Sequence, residues 1–412
     1  MILILIVTPL GIDHLNLKHL EYYDEFFTCA YCAYCVNNNA ACPTFLSVRH
    51  EIVTGRGKMI TARNLAQGLL RKEEGLNALA EGLFQCTFCG ACEQECVVDI
   101  PLMEVYTELK GLLQDRLPVE TRKIFQNLSS KFNIYGMDQA DRNFWNFDVE
   151  DIYERMVNKP EEVGYFIGCV ASYMGRAAGA PVAILKLVSH ANEKISIFSP
   201  TENCCGNPYL LGGCQEKAKE LAKQNVAEIK KLGIKTLFVS CAGCYRVFSQ
   251  EYPKLLGEEL PFKVITHMEY ILGLIKEEKL NLLSLTPIKV SYKDPCELGR
   301  HCGVYDIPRE LIDSLPGVEN LELPDNRENA LCCGAGGLVK ANYPNIAKDV
   351  SFKLIQQMEE TGTELCLNAC PSCQLNIDQF LQEQHSTILS IDISQLVHRL
   401  SQNYINSLAI NQ

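Results

Sequence analysis

The sequence predicts an α/β protein in which a mostly helical N-terminal domain precedes two duplicated α/β domains. Three observations carry that prediction. From Val163 onward, strand-like and helix-like stretches alternate, which is the pattern of parallel sheets joined by crossover helices. A five-cysteine pattern occurs twice in that region, as Cys169, Cys204-Cys205, Cys241 and Cys244, and again as Cys296, Cys332-Cys333, Cys370 and Cys373. Corresponding cysteines lie 127 to 129 positions apart, which marks an internal duplication. Before Val163, apolar residues recur at helical spacing and the cysteines bunch into two short runs. The expected divisions are 1–117 helical, 118–160 connecting, 161–285 first repeat and 286–400 second repeat.

The composition excludes several classes. A chain of 412 residues with 47% hydrophobic and 21% charged residues can bury more than one core. Its net charge of −12 argues against a nucleic-acid surface. No stretch has the length of a transmembrane helix. The apolar opening run, Met1 to Val7, lacks a basic n-region and a small-residue cleavage site. It reads as a buried strand or an artefactual start, and the expected location is cytoplasmic. The 21 cysteines could form disulfides, but their number is odd and they cluster at C-x2-C spacing. Adjacent cysteines also make strained bridges. Clustered thiols without a secretion signal read as metal ligands.

In chain order, a short helix is expected over 16–27, leading into Cys29, Cys32 and Cys35, with Cys42-Pro43 beyond. A polar, basic stretch follows (Thr54-Gly-Arg-Gly-Lys-Met), then helices over 60–70 and 75–84. The second run is Cys86, Cys89, Cys92 and Cys96, which matches the C-x2-C-x2-C-x3-C pattern of bacterial ferredoxins. Thiolates two residues apart around a tight turn can grip neighbouring irons of one cube, and a distant cysteine closes the fourth corner. In two-cluster ferredoxins that cysteine comes from the other run. The crossing groups Cys29, Cys32, Cys35 and Cys96, and separately Cys86, Cys89, Cys92 and Cys42. Two departures stand out: six residues precede Cys42 where the usual run has three, and Val97 replaces the customary proline. Zinc fits less well, because each run offers three close thiols and a remote fourth rather than two C-x2-C pairs.

A helix is expected over 102–117. Residues 118–160, with the single Trp145, carry no ligand cluster and read as a connection packed on the first domain. Strands are expected over 163–169, 195–198, 236–240, 288–292 and 364–368. Helices are expected over 177–192, 215–232 and 347–360, and near Arg309. The cysteines then fall at the carboxyl ends of parallel strands, where open α/β sheets place their sites. No nucleotide fingerprint survives: Gly55-Arg56-Gly57-Lys58 lacks the full phosphate-loop pattern. Gly334-Ala335-Gly336-Gly337 reads as a turn that lets backbone approach a cluster. Flavin or nicotinamide chemistry therefore has to come from a partner. Cys214, Cys302 and Cys366 read as bystanders or core, and the eight histidines, His301 included, show no ligand spacing.

With these motifs the chain resembles the heterodisulfide reductase family, in its fused, D-type form, where a two-cluster ferredoxin domain precedes two cysteine-rich (CCG) domains. The resemblance runs from Cys29 to Cys373, and the layout is also similar to the iron–sulfur subunits of glycolate oxidase, anaerobic glycerol-3-phosphate dehydrogenase and thiol-dependent fumarate reductase. It implies two cubane [4Fe-4S] clusters in the N-terminal domain. It further implies a noncubane [4Fe-4S] cluster held by Cys169, Cys204, Cys205, Cys241 and Cys244, and another by Cys296, Cys332, Cys333, Cys370 and Cys373. In the disulfide reductases two such clusters face each other and cleave an S–S bond homolytically. The expected function is an oxidoreductase subunit that passes single electrons between a flavoprotein partner and the CCG-bound clusters. The alternative is a catalytic subunit that cleaves a thiol-cofactor disulfide. The partners implied are a flavoprotein or other electron-transfer subunits and a membrane cytochrome b anchor, the last placing the chain on the inner face of the membrane. No side chain announces itself as an acid or base.

Overall fold

The computed structural model describes residues 6–7, 13–14, 16–37, 42–198, 201–284 and 287–401. Strands β1 (Ile6–Val7) and β2 (Asp13–His14) pair antiparallel, and the rest of the apolar opening run lies outside the described residues. The duplication is explicit in the sheets. Strands β3 (Val163–Phe166), β4 (Ser196–Ile197), β5 (Thr236–Val239) and β6 (Lys263–Thr266) form an all-parallel sheet in the order β4-β3-β5-β6. Strands β7 (Ile288–Tyr292), β8 (Val318–Asn320), β9 (Leu365–Asn368) and β10 (Leu389–Asp392) repeat it as β8-β7-β9-β10. In both sheets the cysteine-bearing strands are the two central ones. Their near-continuous apolar character follows from helices covering both faces. In β5, for example, Phe238 stacks between Tyr165 and Tyr270, with ring centres 4.7 and 4.3 Å away.

The sequence pattern does not show β6, β8 and β10. All three are short edge strands; β6 and β8 carry solvent-facing charges such as Lys263 and Glu319, and β10 alternates apolar Leu389 and Ile391 with polar Ser390 and Asp392, so none presents a sustained apolar run.

Several helix boundaries differ from expectation for identifiable reasons. The helix expected over 16–27 is a series of turns until Glu25–Thr28. The amides of Glu21 and Tyr22 donate to the Glu108 carboxylate at 2.7 and 3.1 Å, which takes both out of any helical ladder. The helix expected over 60–70 is Gly55–Ala66, because the Thr54 hydroxyl accepts from the Gly57 amide at 3.1 Å and caps an earlier start. The next helix runs Lys72–Phe84. The expected 102–117 helix stops at Gly111 and gives way to a 3-10 turn at Gln114–Arg116. Later helices at Gly179–His190, Gln215–Lys231, Asp306–Asp313 and Pro344–Thr361 lie within a few residues of expectation.

The chain forms two compact units that are not linear in sequence. One comprises residues 1–123 with 208–215 and 331–351; the other comprises 124–207, 216–330 and 352–412. The connecting segment from Ile124 onward is thus built into the unit that carries the sheets. It forms a helix at Val119–Lys131, a 3-10 stretch at Gln139–Val149 and a helix at Glu150–Met156. Conversely, the segment that follows each Cys-Cys-Gly sequence, starting at Pro208 in one repeat and containing Gly336 in the other, is built into the N-terminal unit.

Candidate metal centres

All 21 cysteines are free thiols in the structure. In the N-terminal unit, Cys29, Cys32, Cys35 and Cys96 line one open cavity together with Gly55, Arg56 and Met59, and Cys92 also reaches it. Cys29 has Cys96 and Cys32 as electrostatic neighbours, and Cys32 is exposed. In a second group Cys86, Cys89 and Cys92 are buried and Cys42 is half-buried, and Cys42 and Cys92 each lie close to Cys86 and Cys89. Burial pushes the Cys42 thiol up to about 12, against the pull of Lys58.

The two runs share one backbone signature. The second residue after Cys29 and after Cys86 is left-handed (Tyr31 at φ 56°, Phe88 at φ 57°), and so is the fourth (Ala33 at 68°, Gly90 at 74°). Left-handed non-glycine residues cost energy and persist where surroundings over-determine them. Here they curl each C-x2-C-x2-C run around a common interior.

Gly55 is the shared wall between the two groups. A Cβ there would stand 3.3 Å from Cys35 Sγ and 3.1 Å from Cys92 Cβ. The Gly-Arg-Gly-Lys stretch is therefore a close-approach device rather than a phosphate loop, and its lysine serves the buried group. Lys58 is buried, donates to the Val53 carbonyl at 2.5 Å and lies 4.8 Å from the Tyr106 ring centre. The Tyr106 hydroxyl is 3.7 Å from Cys92 Sγ. Lys110, also buried, donates to the Leu211 carbonyl at 2.8 Å. No signal in the sequence marked either lysine.

In the sheet-bearing unit, the first repeat gathers its five cysteines in a chain of thiol contacts. Cys169 Sγ donates to Cys204 Sγ at 3.9 Å, and Cys205 lies between Cys204 and Cys244. Hydrogen bonds from those two thiols pull Cys205 down to about 6, while its bonds to Cys205 and Cys241 push Cys244 up. Protons are thus shared unevenly along a row of ligand-type groups. The Cys241 thiol is also bonded to Cys244 and to Cys370 of the other repeat, so the repeats meet thiol to thiol. Arg246 reinforces that meeting by binding Glu297, whose carboxyl it holds below the usual range although burial works against the charge.

A buried ion pair that the sequence did not announce positions the first set. Arg142, from the connecting segment, pairs with Glu202, and Glu202 accepts from the Ile167 and Gly168 amides at 2.8 Å each. Two residues before Cys204, Glu202 therefore pins the turn that delivers Cys169.

In the second repeat Cys296, Cys370 and Cys373 are buried in the sheet-bearing unit, and Lys293 Nζ lies 3.5 Å from Cys373 Sγ. Cys332 and Cys333 are buried in the N-terminal unit. Both Cys-Cys-Gly turns have the same geometry: the glycines are left-handed (Gly206 at φ 91°, Gly334 at 85°), and each amide donates to the first cysteine's Sγ, at 3.5 and 3.3 Å. Of the remaining cysteines, Cys366 is wholly buried on β9, Cys214 meets Gln114 at 2.9 Å, and burial pushes Cys302 up to about 12.

Among the described residues, no three His, Cys, Asp or Glu side chains are arranged to hold a single metal ion. Four thiols spread around a cavity in one group, and four with buried lysines beside them in the other, fit multi-atom anionic clusters better than a lone cation.

Comparison with known proteins agrees. A family model described as a 4Fe-4S dicluster domain matches residues 25–100, and one described as a cysteine-rich domain matches 163–249 and 290–378. A dicluster domain followed by two cysteine-rich domains defines an iron–sulfur oxidoreductase subunit. The chain is 31% identical to the D-type subunit of the dihydromethanophenazine:CoB--CoM heterodisulfide reductase of Methanosarcina barkeri, over 95% of this chain and 97% of that one. It belongs to that family of D-type heterodisulfide reductase subunits. It is also 26% identical to a subunit of the CoM/CoB fumarate reductase of Methanothermobacter marburgensis, over 76% of this chain and 60% of that one. To the EtfAB:quinone oxidoreductase of Syntrophomonas wolfei it is 29% identical, over 71% and 43%. Among the described residues no helix is long and apolar enough to cross a membrane.

Proposed function

We propose that this chain is the electron-transfer subunit of a heterodisulfide reductase-like complex, passing single electrons between a flavoprotein partner and clusters held by the two cysteine-rich repeats. In this reading Cys29, Cys32, Cys35 and Cys96 hold one cubane [4Fe-4S] cluster and Cys42, Cys86, Cys89 and Cys92 the other. The repeats hold noncubane clusters through Cys169, Cys204, Cys205, Cys241 and Cys244, and through Cys296, Cys332, Cys333, Cys370 and Cys373. When bound, these groups supply reversible one-electron chemistry.

The observation that carries the reading is the shared origin of the relay parts. The segment after each Cys-Cys-Gly turn belongs to the unit that holds both four-cysteine groups, and those groups approach each other closely at Gly55. The residues' own tasks are to bind thiolate-ligated iron, to keep the buried group dry and to hold the spacing short.

Anaerobic iron and sulfide analysis tests the cofactor assignment, and zinc at the repeats would remove that half of it. Rapid reduction of all the clusters by a flavoprotein donor, with no response to added thiol, is expected of a relay.

The second reading, a catalytic disulfide reductase, is favoured by one feature: the direct meeting of Cys241 with Cys370 puts both repeats at one point. A new paramagnetic signal when partly oxidised protein meets a thiol would select it, as would disulfide reduction by artificial one-electron donors. A flavoprotein, a membrane cytochrome b anchor and attachment at the inner face of the membrane remain part of the proposal; the relatives' names support membership of a larger redox complex.

A further inference from the structure

We propose that Lys58, with Lys110, makes the site of Cys42, Cys86, Cys89 and Cys92 the electron sink of the N-terminal unit, at a higher reduction potential than the site of Cys29, Cys32, Cys35 and Cys96. The proposal rests on the reading above that both groups carry [4Fe-4S] clusters.

Both lysines are almost fully buried, at 1% and 0% exposure. Lys58 Nζ is held by the Val53 carbonyl and faces the Cys86 thiol, with Cys42 and Cys92 as further thiol neighbours. Lys110 Nζ is held by the Leu211 carbonyl and lies 5.0 Å from the Phe88 ring centre and 5.7 Å from that of Phe84, both residues of the same cysteine run or the helix that delivers it. No ion pair joins either lysine to a carboxylate among the described residues; the charged groups that act most strongly are Cys86, Cys42 and Cys92 on Lys58, and Cys86 and Lys58 on Lys110. A buried cation is costly unless paired. The counter-charge these two require is therefore the thiolate-ligated group itself.

The open site is built differently. Arg56 there is neutralised by Glu51, and Arg63 lies 5.3 Å from the ring centres of Phe27 and Tyr31, half-exposed, where solvent screens it. The sign of the difference follows from charge. Reduction adds one negative charge to a site, and burial alone opposes that and lowers the potential. Two buried positive charges reverse the order. The electron lost at the open site is gained at the buried one, with no proton required. It then rests beside Leu211 and Cys86, where the segments from the two Cys-Cys-Gly turns attach.

The test is a mediated redox titration of the fully loaded, intact chain followed by paramagnetic resonance, with Cys32→Ser used to assign the open-site signal. Lys58→Met is expected to reduce the reduced-to-oxidised ratio of the buried site about tenfold at a given potential, a shift of about 59 mV for one electron. The open site should be unmoved, and Lys58→Arg, which keeps the charge, should restore the ratio. Lys110→Met should act in the same direction and serves if Lys58→Met fails to load its cluster. Unmoved potentials, equal shifts at both sites, or failure of both Met variants to load would overturn the proposal. Iron and sulfide content of the wild type is read separately: absent clusters sink the underlying reading, whereas normal loading with unmoved potentials sinks only the role of the lysines.

Discussion

The two segments that follow the Cys-Cys-Gly turns occupy equivalent places in the duplication, yet they land on different surfaces of the N-terminal unit. In the first repeat the segment meets the end of the Leu102–Gly111 helix. Lys110 takes the Leu211 carbonyl, Gln114 takes the Gly212 carbonyl at 2.8 Å, and a Cβ on Gly213 would stand 2.5 Å from the Gly111 nitrogen. In the second repeat the segment presses on the cysteine run itself. A Cβ on Gly337 would stand 1.9 Å from the Cys86 carbonyl oxygen, and one on Gly336 would stand 2.3 Å from that of Thr87. The supports also differ. In the first repeat the buried Arg142 has Glu202 as its one carboxylate partner, whereas Arg309 in the second grips both Asp294, at 2.9 Å, and the half-exposed Glu322. Duplication preserved the sheet and the Cys-Cys-Gly turn, while the contacts outward diverged. The two repeats should therefore respond differently to equivalent changes.

The largest contrast should come from the cysteines. Cys205→Ser is expected to remove the cluster of the first repeat and leave both N-terminal signals intact. Cys333→Ser should remove the second repeat's cluster and also perturb the signal of the Cys86 group, because its loop is part of that unit. Identical behaviour of the two variants in iron content and resonance spectra would erase the contrast.

Next in size is Gly337→Val. It forces a side chain into the Cys86 carbonyl from a residue at φ +61°, and should cost more than about 3 kcal/mol while removing the signal of the Cys86 group. Gly213→Val, which meets the Gly111 and Lys110 backbone instead, should keep that signal and at most shift its potential through Lys110. Loss of the same signal from both would show that any disturbance of the unit empties the site.

The ion pairs give a smaller separation. Glu202→Ala leaves Arg142 buried without its partner and should cost about 3–5 kcal/mol. Glu322→Ala leaves Arg309 its Asp294 and should cost at most about 1 kcal/mol. Thermal release of iron from the loaded protein measures both, and comparable losses would refute the distinction.

The smallest effect concerns Lys293, whose counterpart by the 127-residue offset is Phe166. Lys293→Met removes a donor to Cys373 and should shift the potential of the second repeat's cluster alone, by less than about tenfold in its redox equilibrium. A shift in the first repeat would mean that the two sites are not separately tuned.

The α/β class, the duplication and the iron–sulfur chemistry were legible in the chain itself, because each depends on local order. C-x2-C spacing sets how thiols can surround a turn, strand and helix periods repeat within a few residues, and a repeated motif carries its own ruler. The central strands β3, β5, β7 and β9 were readable for the same reason, since burial on both faces leaves a continuous apolar run.

What escaped depends on residues distant in sequence. The Glu108 carboxylate breaks a helix 86 and 87 positions away, and Glu202 finds Arg142 across 60 positions. Lys58 looked like part of a polar loop until folding closed apolar walls around it. A single lysine or glutamate carries no spacing signal, so its partner, and therefore its role, is chosen only when the chain packs. The two-unit division has the same origin. Sequence order kept the Cys-Cys-Gly segments with their repeats, whereas glycine-mediated backbone contact, which needs both surfaces present, assigned them to the N-terminal unit.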